Sequence, residues 1–322
     1  MKNIFITPSS PLRRFFPAIR ALRYGAWKFH DRAGVRLVIS GGKVRFLDAE
    51  LNFPENVGLT YSTQLFWNGP DAYEGATSRA IARLVGRSRL FLDVGSNIGI
   101  YSVYAGVKFP GVKTYAFEPV PVIWQKNRAF HRANNLSEAE VLNVALGDRE
   151  GAQKIFLPVY ETGLEEEQTA TLIADSWQTR EKKVETMEIR CTTLDAFAAA
   201  NRLPEGPVTL KIDVENFEAA VLRGGKKFIT ERRPWIVCEI LAQQENDPAT
   251  GRKLNNNQEV SALVTELGYA AFAITADGFF RMTAGDFSRP RHLKDFVLIA
   301  AEKIAPEMNY FALENLGEMA AE

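Results

Sequence analysis

The first thirty residues alternate basic and apolar positions: Arg13, Arg14, Arg20, Arg23, Lys28 and Arg32 are interleaved with Phe15, Phe16, Ile19, Leu22, Tyr24 and Trp27. The pattern is that of a basic amphipathic helix, which has two uses. It can pack its apolar stripe on the rest of the protein, or it can lie on an anionic membrane surface. From Val35 to Leu51 the period shortens to two around Gly41-Gly42, which predicts a β-hairpin. Residues 52–75 are rich in Asn, Pro, Gly and aromatics and are expected to be a connecting loop. Ala76–Val85 returns to helical spacing.

From residue 89 onward short apolar runs and helical stretches alternate. Strands are predicted at 89–94, 114–117, 141–146, 208–214, 235–241, 269–274 and 296–301, and helices at 98–107, 122–134, 218–224 and 257–267. Strands separated by helices of that length need crossover connections, so an open α/β domain with a mostly parallel sheet follows. The expected division is an N-terminal extension (1–75), a main domain (76–303) and a tail (304–322). One segment breaks the alternation. Between strands at 154–157 and 184–191 lies an acidic insert, 158–188, in which residues 161–188 hold eight Asp/Glu against three Lys/Arg. It is either a solvated loop or a lid over the ligand side of the sheet.

Composition narrows this picture only where it is uneven. The 39 basic and 39 acidic side chains balance, which gives no electrostatic reason to expect a nucleic-acid partner. Residues 1–50, however, carry 10 Lys/Arg against 3 Asp/Glu, which is why peripheral contact with anionic lipid stays open. Neither a secretory pattern nor an apolar run of about 20 residues occurs, so a cytoplasmic location is expected. The two cysteines, Cys191 and Cys238, are too few for a disulfide framework and are expected to be buried thiols.

The chemistry is concentrated in Phe91-Leu-Asp-Val-Gly-Ser-Asn-Ile-Gly-Ile-Tyr101. A strand ends at Asp93, and Gly95 and Gly99 let the backbone turn and approach a ligand. The helix that follows offers free N–H groups. Glu118 ends the second strand, where an acid can accept the hydroxyls of a ribose. The spacing Gly95-x-Asn97-x-Gly99 lacks the dinucleotide fingerprint. An acid beside the loop opposes a pyrophosphate but suits a ligand that carries an ammonium and a sulfonium. S-Adenosyl-L-methionine is therefore favoured over NAD.

The blocks Asp93 to Gly99, Phe117-Glu-Pro119, Asn143 to Asp148, Thr192-Thr-Leu-Asp195 and Lys211-Ile-Asp-Val-Glu-Asn-Phe-Glu218 together resemble the FkbM-type S-adenosylmethionine-dependent methyltransferases, in order and in spacing. The resemblance covers about residues 87–241. It implies a class I, Rossmann-like methyltransferase fold with a seven-stranded sheet whose last strand is antiparallel. It also implies that Asp93, Gly95, Ser96, Asn97 and Gly99 hold the methionine end, that Glu118 takes the ribose and that Asp148 meets the adenine amine. The implied activity is O-methylation of a hydroxyl on a saccharide, glycolipid or secondary metabolite. Two positions depart from the family pattern: Asn216 stands where glycine is usual, and Glu239-Ile-Leu241 lacks a histidine often found there.

For the chemical step, Asp213 at the end of the fourth strand is the first candidate for the base or substrate anchor. Lys211 is expected on the same face, and Glu215, Glu218 and Glu239 are the next acids within reach. Lys211 could equally form a structural ion pair with Glu218. Asp213 and Glu239 could together hold a divalent cation, although none is expected. Of the three histidines, His30 and His131 are expected to be uninvolved, whereas His292, just before the last strand, could approach the rim. N-methylation of RNA or protein, and a catalytically silent cofactor-binding module, are the competing readings.

Overall fold

The apolar runs from residue 90 onward are fully buried on both faces, and a sheet covered by helices on each side requires that. The computed structural model describes residues 2–11, 13, 35–136, 139–158, 184–241, 245–246, 253–254, 256–282, 287, 293–311 and 313–314. Most of the basic arm, the centre of the acidic insert, His30, His292 and the end of the tail lie outside these residues.

The front piece contains β1 (Lys2–Ile6), β2 (Val35–Ile39), β3 (Gly42–Phe46) and β4 (Ala49–Phe53). The expected hairpin about Gly41-Gly42 is replaced by a different arrangement. Gly41 and Gly42 both adopt positive φ and redirect the chain, so that β2 leaves to pair with β1 in parallel. The hairpin is β3–β4, closed at Leu47-Asp48, with Leu47 itself at φ 49°. The expected loop 52–75 contains a helix, α1 (Leu59–Asn68), followed by α2 (Gly75–Val85). Buried Tyr61, Ser62, Thr63, Leu65 and Trp67 make up its inner face, a mixture of aromatic and small polar residues that hides the helical period.

The remaining strands and helices follow in the order β5 (Leu90–Val94), α3 (Ile100–Lys108), β6 (Lys113–Phe117), α4 (Pro121–Ala133), β7 (Glu140–Leu142), β8 (Ala145–Gly147), β9 (Gly151–Pro158), β10 (Val184–Thr193), α5 (Leu194–Ala200), β11 (Val208–Ile212), α6 (Glu218–Gly224), α7 (Lys226–Arg232), β12 (Trp235–Glu239), β13 (Glu245–Asn246), β14 (Lys253–Leu254), α8 (Asn256–Glu266), β15 (Tyr269–Ile274), β16 (Phe279–Arg281), β17 (Asp295–Ala300), α9 (Ile304–Phe311) and β18 (Leu313–Glu314). The main sheet runs β18-β16-β15-β17-β12-β11-β5-β6-β7. Strands β7, β6, β5, β11 and β12 are mutually parallel. β17 is antiparallel to both β12 and β15.

Among the described residues the sheet is therefore mixed and nine-stranded, whereas seven strands were expected. β16 and β18 extend the edge beyond β15. The expected third strand, 141–146, is divided: Asn143 and Val144 turn the chain, and β8 joins the β9–β10 pair in a separate three-stranded sheet. That pair brackets the acidic insert in antiparallel register.

Apolar side chains fill both faces of the main sheet. On one, Phe46, Phe53 and Trp67 of the front piece share a core with Ile81, Phe91, Val103 and Phe130. On the other, Leu92, Leu210 and Ile236 pack against Phe197, Val221, Ile229 and Leu263. Chain order reverses at β5: β6 and β7 lie to one side, β11 and β12 to the other. Ligands of open α/β sheets bind at the carboxyl ends of the strands at such a point.

Candidate active site

A cavity of about 370 Å³ opens where β5 and β11 end, a size within the range of small-ligand sites. Its floor is the turn after β5. Gly95 has φ 72°, and a Cβ added there would lie 1.8 Å from the Asp213 carbonyl oxygen. Only glycine permits the loops after β5 and β11 to cross this closely. Gly95 and Ser96 donate backbone N–H groups to the Phe117 carbonyl, at 3.1 and 3.0 Å. Asn97, in the left-handed region at φ 50°, turns its side-chain oxygen to the Ile98 N–H at 2.7 Å. Behind the loop, buried Asn127 of α4 donates to Ser96 Oγ (3.0 Å) and to the Asn97 carbonyl (2.7 Å). Gly99 leaves room for it, since a Cβ there would meet Asn127 Oδ1 at 2.5 Å.

Gly95, Ser96, Asn97 and Glu118 all line the cavity. Glu118 is buried and accepts from the N–H groups of Asn97 (3.0 Å) and Val120 (2.8 Å). Burial raises its carboxyl to about 7, against the lowering effect of those two donors. Each carboxylate oxygen retains a second acceptor position.

Asp93, Gly99 and Asp148 are not among the lining residues. Asp93 is fully buried beneath the turn. One oxygen accepts the Ser102 N–H at 3.2 Å, and the other has no hydrogen-bond partner but lies 3.8 Å from Lys211 Nζ. Burial raises its carboxyl, opposed by Lys211. Asp148 is drawn outward by Arg223 of α6, at 2.5 Å.

Parallel pairing sets Lys211 of β11 beside Asp93 of β5. The Lys211 ammonium is buried, 3.1 Å from Asp213 Oδ2 and 5.3 Å from the centre of the Tyr101 ring. Burial disfavours its charge, but Asp213, Asp93 and Glu74 together outweigh burial, so the amine titrates above its ordinary range. The alternative Lys211–Glu218 pair does not form. Glu218 accepts instead from the N–H groups of Val214 and Asn216, both at 3.2 Å, and from Asn256 Nδ2 at 2.6 Å. It thereby ties down the turn before α6. In that turn Glu215 and Asn216 both take positive φ, 53° and 75°, so the asparagine keeps the left-handed conformation that glycine would have.

Asp213 and Glu239 meet at the cavity wall. Burial alone would raise the Asp213 carboxyl, but Lys211 and Lys294 bring it below its usual value. Glu239 is pushed well up by burial and by the charge of Asp213, with Lys294 opposing. Glu215 completes a group of three carboxylates, with oxygens within 4.8 Å of one another, among the described residues.

Several site residues escape sequence reasoning. Lys294, just before β17, reaches Glu239 at 2.5 Å and Glu74 at 3.3 Å. Tyr61, Tyr73 and Glu74 of the front piece line the same cavity. Nothing in their local pattern distinguishes them from core residues. Asn127 carried a weak signal as a polar residue on the inner side of α4. His131 of the same helix is buried. Its Nδ1 is 3.0 Å from the Asn127 carbonyl oxygen, and burial lowers it to about 4. Both cysteines are buried and free.

A family model described as the methyltransferase FkbM domain matches residues 93–270. The 31-O-demethyl-FK506 methyltransferase FkbM of Streptomyces tacrolimicus is 28% identical over 203 residues, covering 56% of this chain and 72% of that protein. Among solved structures, a methyltransferase FkbM from Methylobacillus flagellatus is similar with a TM-score of 0.39 at 10% identity, covering 77% of this chain and 56% of that one. The O-methyltransferase of a trans-AT PKS multienzyme from Brevibacillus brevis, in complex with S-adenosyl-L-homocysteine, has a TM-score of 0.36 at 11% identity, covering 63% of this chain and 56% of that one.

Proposed function

Because the chain belongs to the FkbM-domain methyltransferase family, with more than half of its residues matched, we propose that the cavity takes S-adenosyl-L-methionine and that the protein methylates a hydroxyl oxygen of a saccharide, glycolipid or secondary metabolite. The observation that carries this reading is the charge of the cavity at the switch point. Five carboxylates (Glu74, Glu118, Asp213, Glu215, Glu239) and two ammonium groups (Lys211, Lys294) line it, which suits a cationic ligand and repels a pyrophosphate. The glycine at 95 lets the loops after β5 and β11 cross closely enough to shape that cavity. The curated relative is named for methyl transfer to a 31-O-demethyl compound, which supports oxygen as the acceptor atom.

The turn Gly95–Asn97 would hold the methionine end, Glu118 the ribose hydroxyls, and Ile123, Ala145 and Leu146 the adenine face. When bound, S-adenosyl-L-methionine supplies a methyl group on a sulfonium whose leaving group is a neutral thioether. The protein's part is to align the acceptor oxygen and to receive its proton. Asp213 would serve both tasks: Lys211, 3.1 Å away, favours its ionised form, and its carboxylate stands at the cavity wall. Asp93 works through Lys211, as the second countercharge beneath it. Glu239, held by Lys294, lies beside Asp213.

The test is incubation with methyl-labelled cofactor and lysate fractions. Label is expected in a saccharide, glycolipid or small-molecule fraction; label confined to RNA or protein contradicts the reading. With that acceptor, Asp213→Asn is expected to lower turnover by about 10²–10⁴-fold while changing the KM for the cofactor little. Near-normal turnover would remove Asp213 from the mechanism.

A further inference from the structure

Helix α4 carries one amide on a face that is otherwise built for packing. Asn127 is fully buried alongside Ile123 and Phe130, and it does not line the cavity. Burying an amide is unfavourable unless hydrogen bonds replace its water. Only one end of this amide is compensated. Nδ2 donates to Ser96 Oγ and to the Asn97 carbonyl, while Oδ1 has no hydrogen-bond partner among the described residues. An apolar side chain of similar shape would leave no such orphan, so the two donors are what this position supplies beyond packing.

Those donors end on the turn after β5. Asn97 holds φ 50°, a conformation that costs free energy for a residue with a side chain. Such a residue persists where its surroundings over-determine it. Here it is gripped at both ends: its N–H donates to Glu118 Oε2 at 3.0 Å, and its carbonyl accepts from Asn127 at 2.7 Å. Glu118 and Asn127 belong to one continuous unit. Glu118 follows β6, accepts the Val120 N–H, and is succeeded by α4 from Pro121 onward. The unit reaches the cavity through Glu118 and holds the turn from behind through Asn127. The close pass of Gly99, where a Cβ would meet Asn127 Oδ1 at 2.5 Å, leaves the amide little room to turn away.

We propose that Asn127 is a positioning residue, which fixes the Gly95–Asn97 turn relative to Glu118 so that one clamp sets the places of the methionine end and of the ribose. This rests on the reading of the cavity as an S-adenosyl-L-methionine site. Without the clamp the Asn97 peptide is free to rotate, and Glu118 loses an N–H that favours its charged form. The other groups that act on Glu118 stay in place. They are the Val120 N–H, Asp93 of β5, which opposes the charge, and Lys211 of β11, which favours it. Burial already holds the Glu118 carboxyl at about 7, and losing one donor moves it higher. The pH at which the ribose meets an ionised carboxylate rises with it.

The experiment is calorimetric titration of the full chain with S-adenosyl-L-homocysteine across the range from pH 6 to pH 8. Wild type is compared with Asn127→Leu, Asn127→Ser and Phe130→Leu. The serine variant is the milder change and serves should the leucine variant not fold. Phe130 lies on the same helix but packs on Phe53, with ring centres 4.4 Å apart, and controls for a general loss of core packing. Asn127→Leu is expected to bind about tenfold more weakly at pH 7.5, with its rise in affinity displaced to higher pH. Asn127→Ser should change in the same direction. Phe130→Leu should melt at a lower temperature yet keep the affinity and pH dependence of wild type. The proposal is overturned by wild-type affinity and pH dependence in a folded Asn127 variant, by an equal displacement in Phe130→Leu, or by a flat wild-type profile. In each of those cases the cofactor reading stands. If S-adenosyl-L-homocysteine does not bind wild type at any of these pH values, that reading falls, and the clamp falls with it.

Discussion

Glu118 is the residue whose chemistry the fold changes most. A carboxyl of this type ionises near 4.5 in the open, and burial moves it to about 7. Its folded-state value is raised, so the stability it contributes is present below its unfolded value and is lost as pH rises through about 7. Ligand binding should show the opposite trend, because two ribose hydroxyls donate best to an ionised carboxylate. Affinity for S-adenosyl-L-homocysteine is therefore expected to rise severalfold from pH 6 to pH 8, and Glu118→Gln should flatten that rise. A wild-type affinity that is the same at both pH values would show that Glu118 does not contact the ligand in its charged form. At this scale the sequence was informative about types and poor about directions. Asp93, Gly95 and Glu118 could be recognised from their places at strand ends. That Asp93 faces down to Lys211 rather than into the cavity depends on the register of β5 with β11, which no local pattern contains.

At the scale of elements, adjacent strands make one charge system out of residues far apart in sequence. Lys211 on β11 lies between Asp93 after the core of β5 and Asp213 beyond its own strand end. Removing its charge with Lys211→Met would leave buried Asp93 without a cation and Asp213 with Lys294 alone. Breaking a buried pair in this way costs about 3–5 kcal/mol, which chemical denaturation at pH 7.5 should read as a lower midpoint. A variant as stable as wild type would mean that the carboxylates are neutral and the proposed charge pattern is wrong. The long, strongly apolar strands and the helices between them were legible because their burial repeats along the chain. Helix α1 was not, since its inner face mixes Ser62 and Thr63 with Tyr61 and Trp67. Ser62 donates to the Ile39 carbonyl and Thr63 Oγ1 accepts the Ile39 N–H, so these polar residues are satisfied inside the core by a partner some twenty residues away. The hairpin was misplaced for a similar reason: Gly41-Gly42 marks a change of direction, and only the pairing of β2 with distant β1 shows which one.

For the molecule as a whole, the front piece is continuous with the main domain. Phe46, Leu51, Phe53, Leu65 and Trp67 are all nearly inaccessible and belong to the core that also holds Ile81, Phe91 and Tyr101. Burying a large apolar side chain is worth about 1.5–3 kcal/mol, so these five together match the ~5–15 kcal/mol stability of a typical domain. A fragment beginning at Ala76 is therefore expected to lack a cooperative thermal transition. A fragment that melts at the temperature of the full chain would show that residues 1–75 are dispensable for folding.

The central claim is that the crossing of the β5 and β11 loops builds a site for S-adenosyl-L-methionine. Calorimetric titration of the full chain with S-adenosyl-L-homocysteine tests it most directly, with Gly95→Ala and NAD as the two comparisons. The account predicts one site per chain on the wild type and no detectable heat with NAD. In Gly95→Ala binding should be lost, because the added methyl group would fall 1.8 Å from the Asp213 carbonyl oxygen. Binding of NAD without S-adenosyl-L-homocysteine, or undiminished S-adenosyl-L-homocysteine binding in Gly95→Ala, would contradict it.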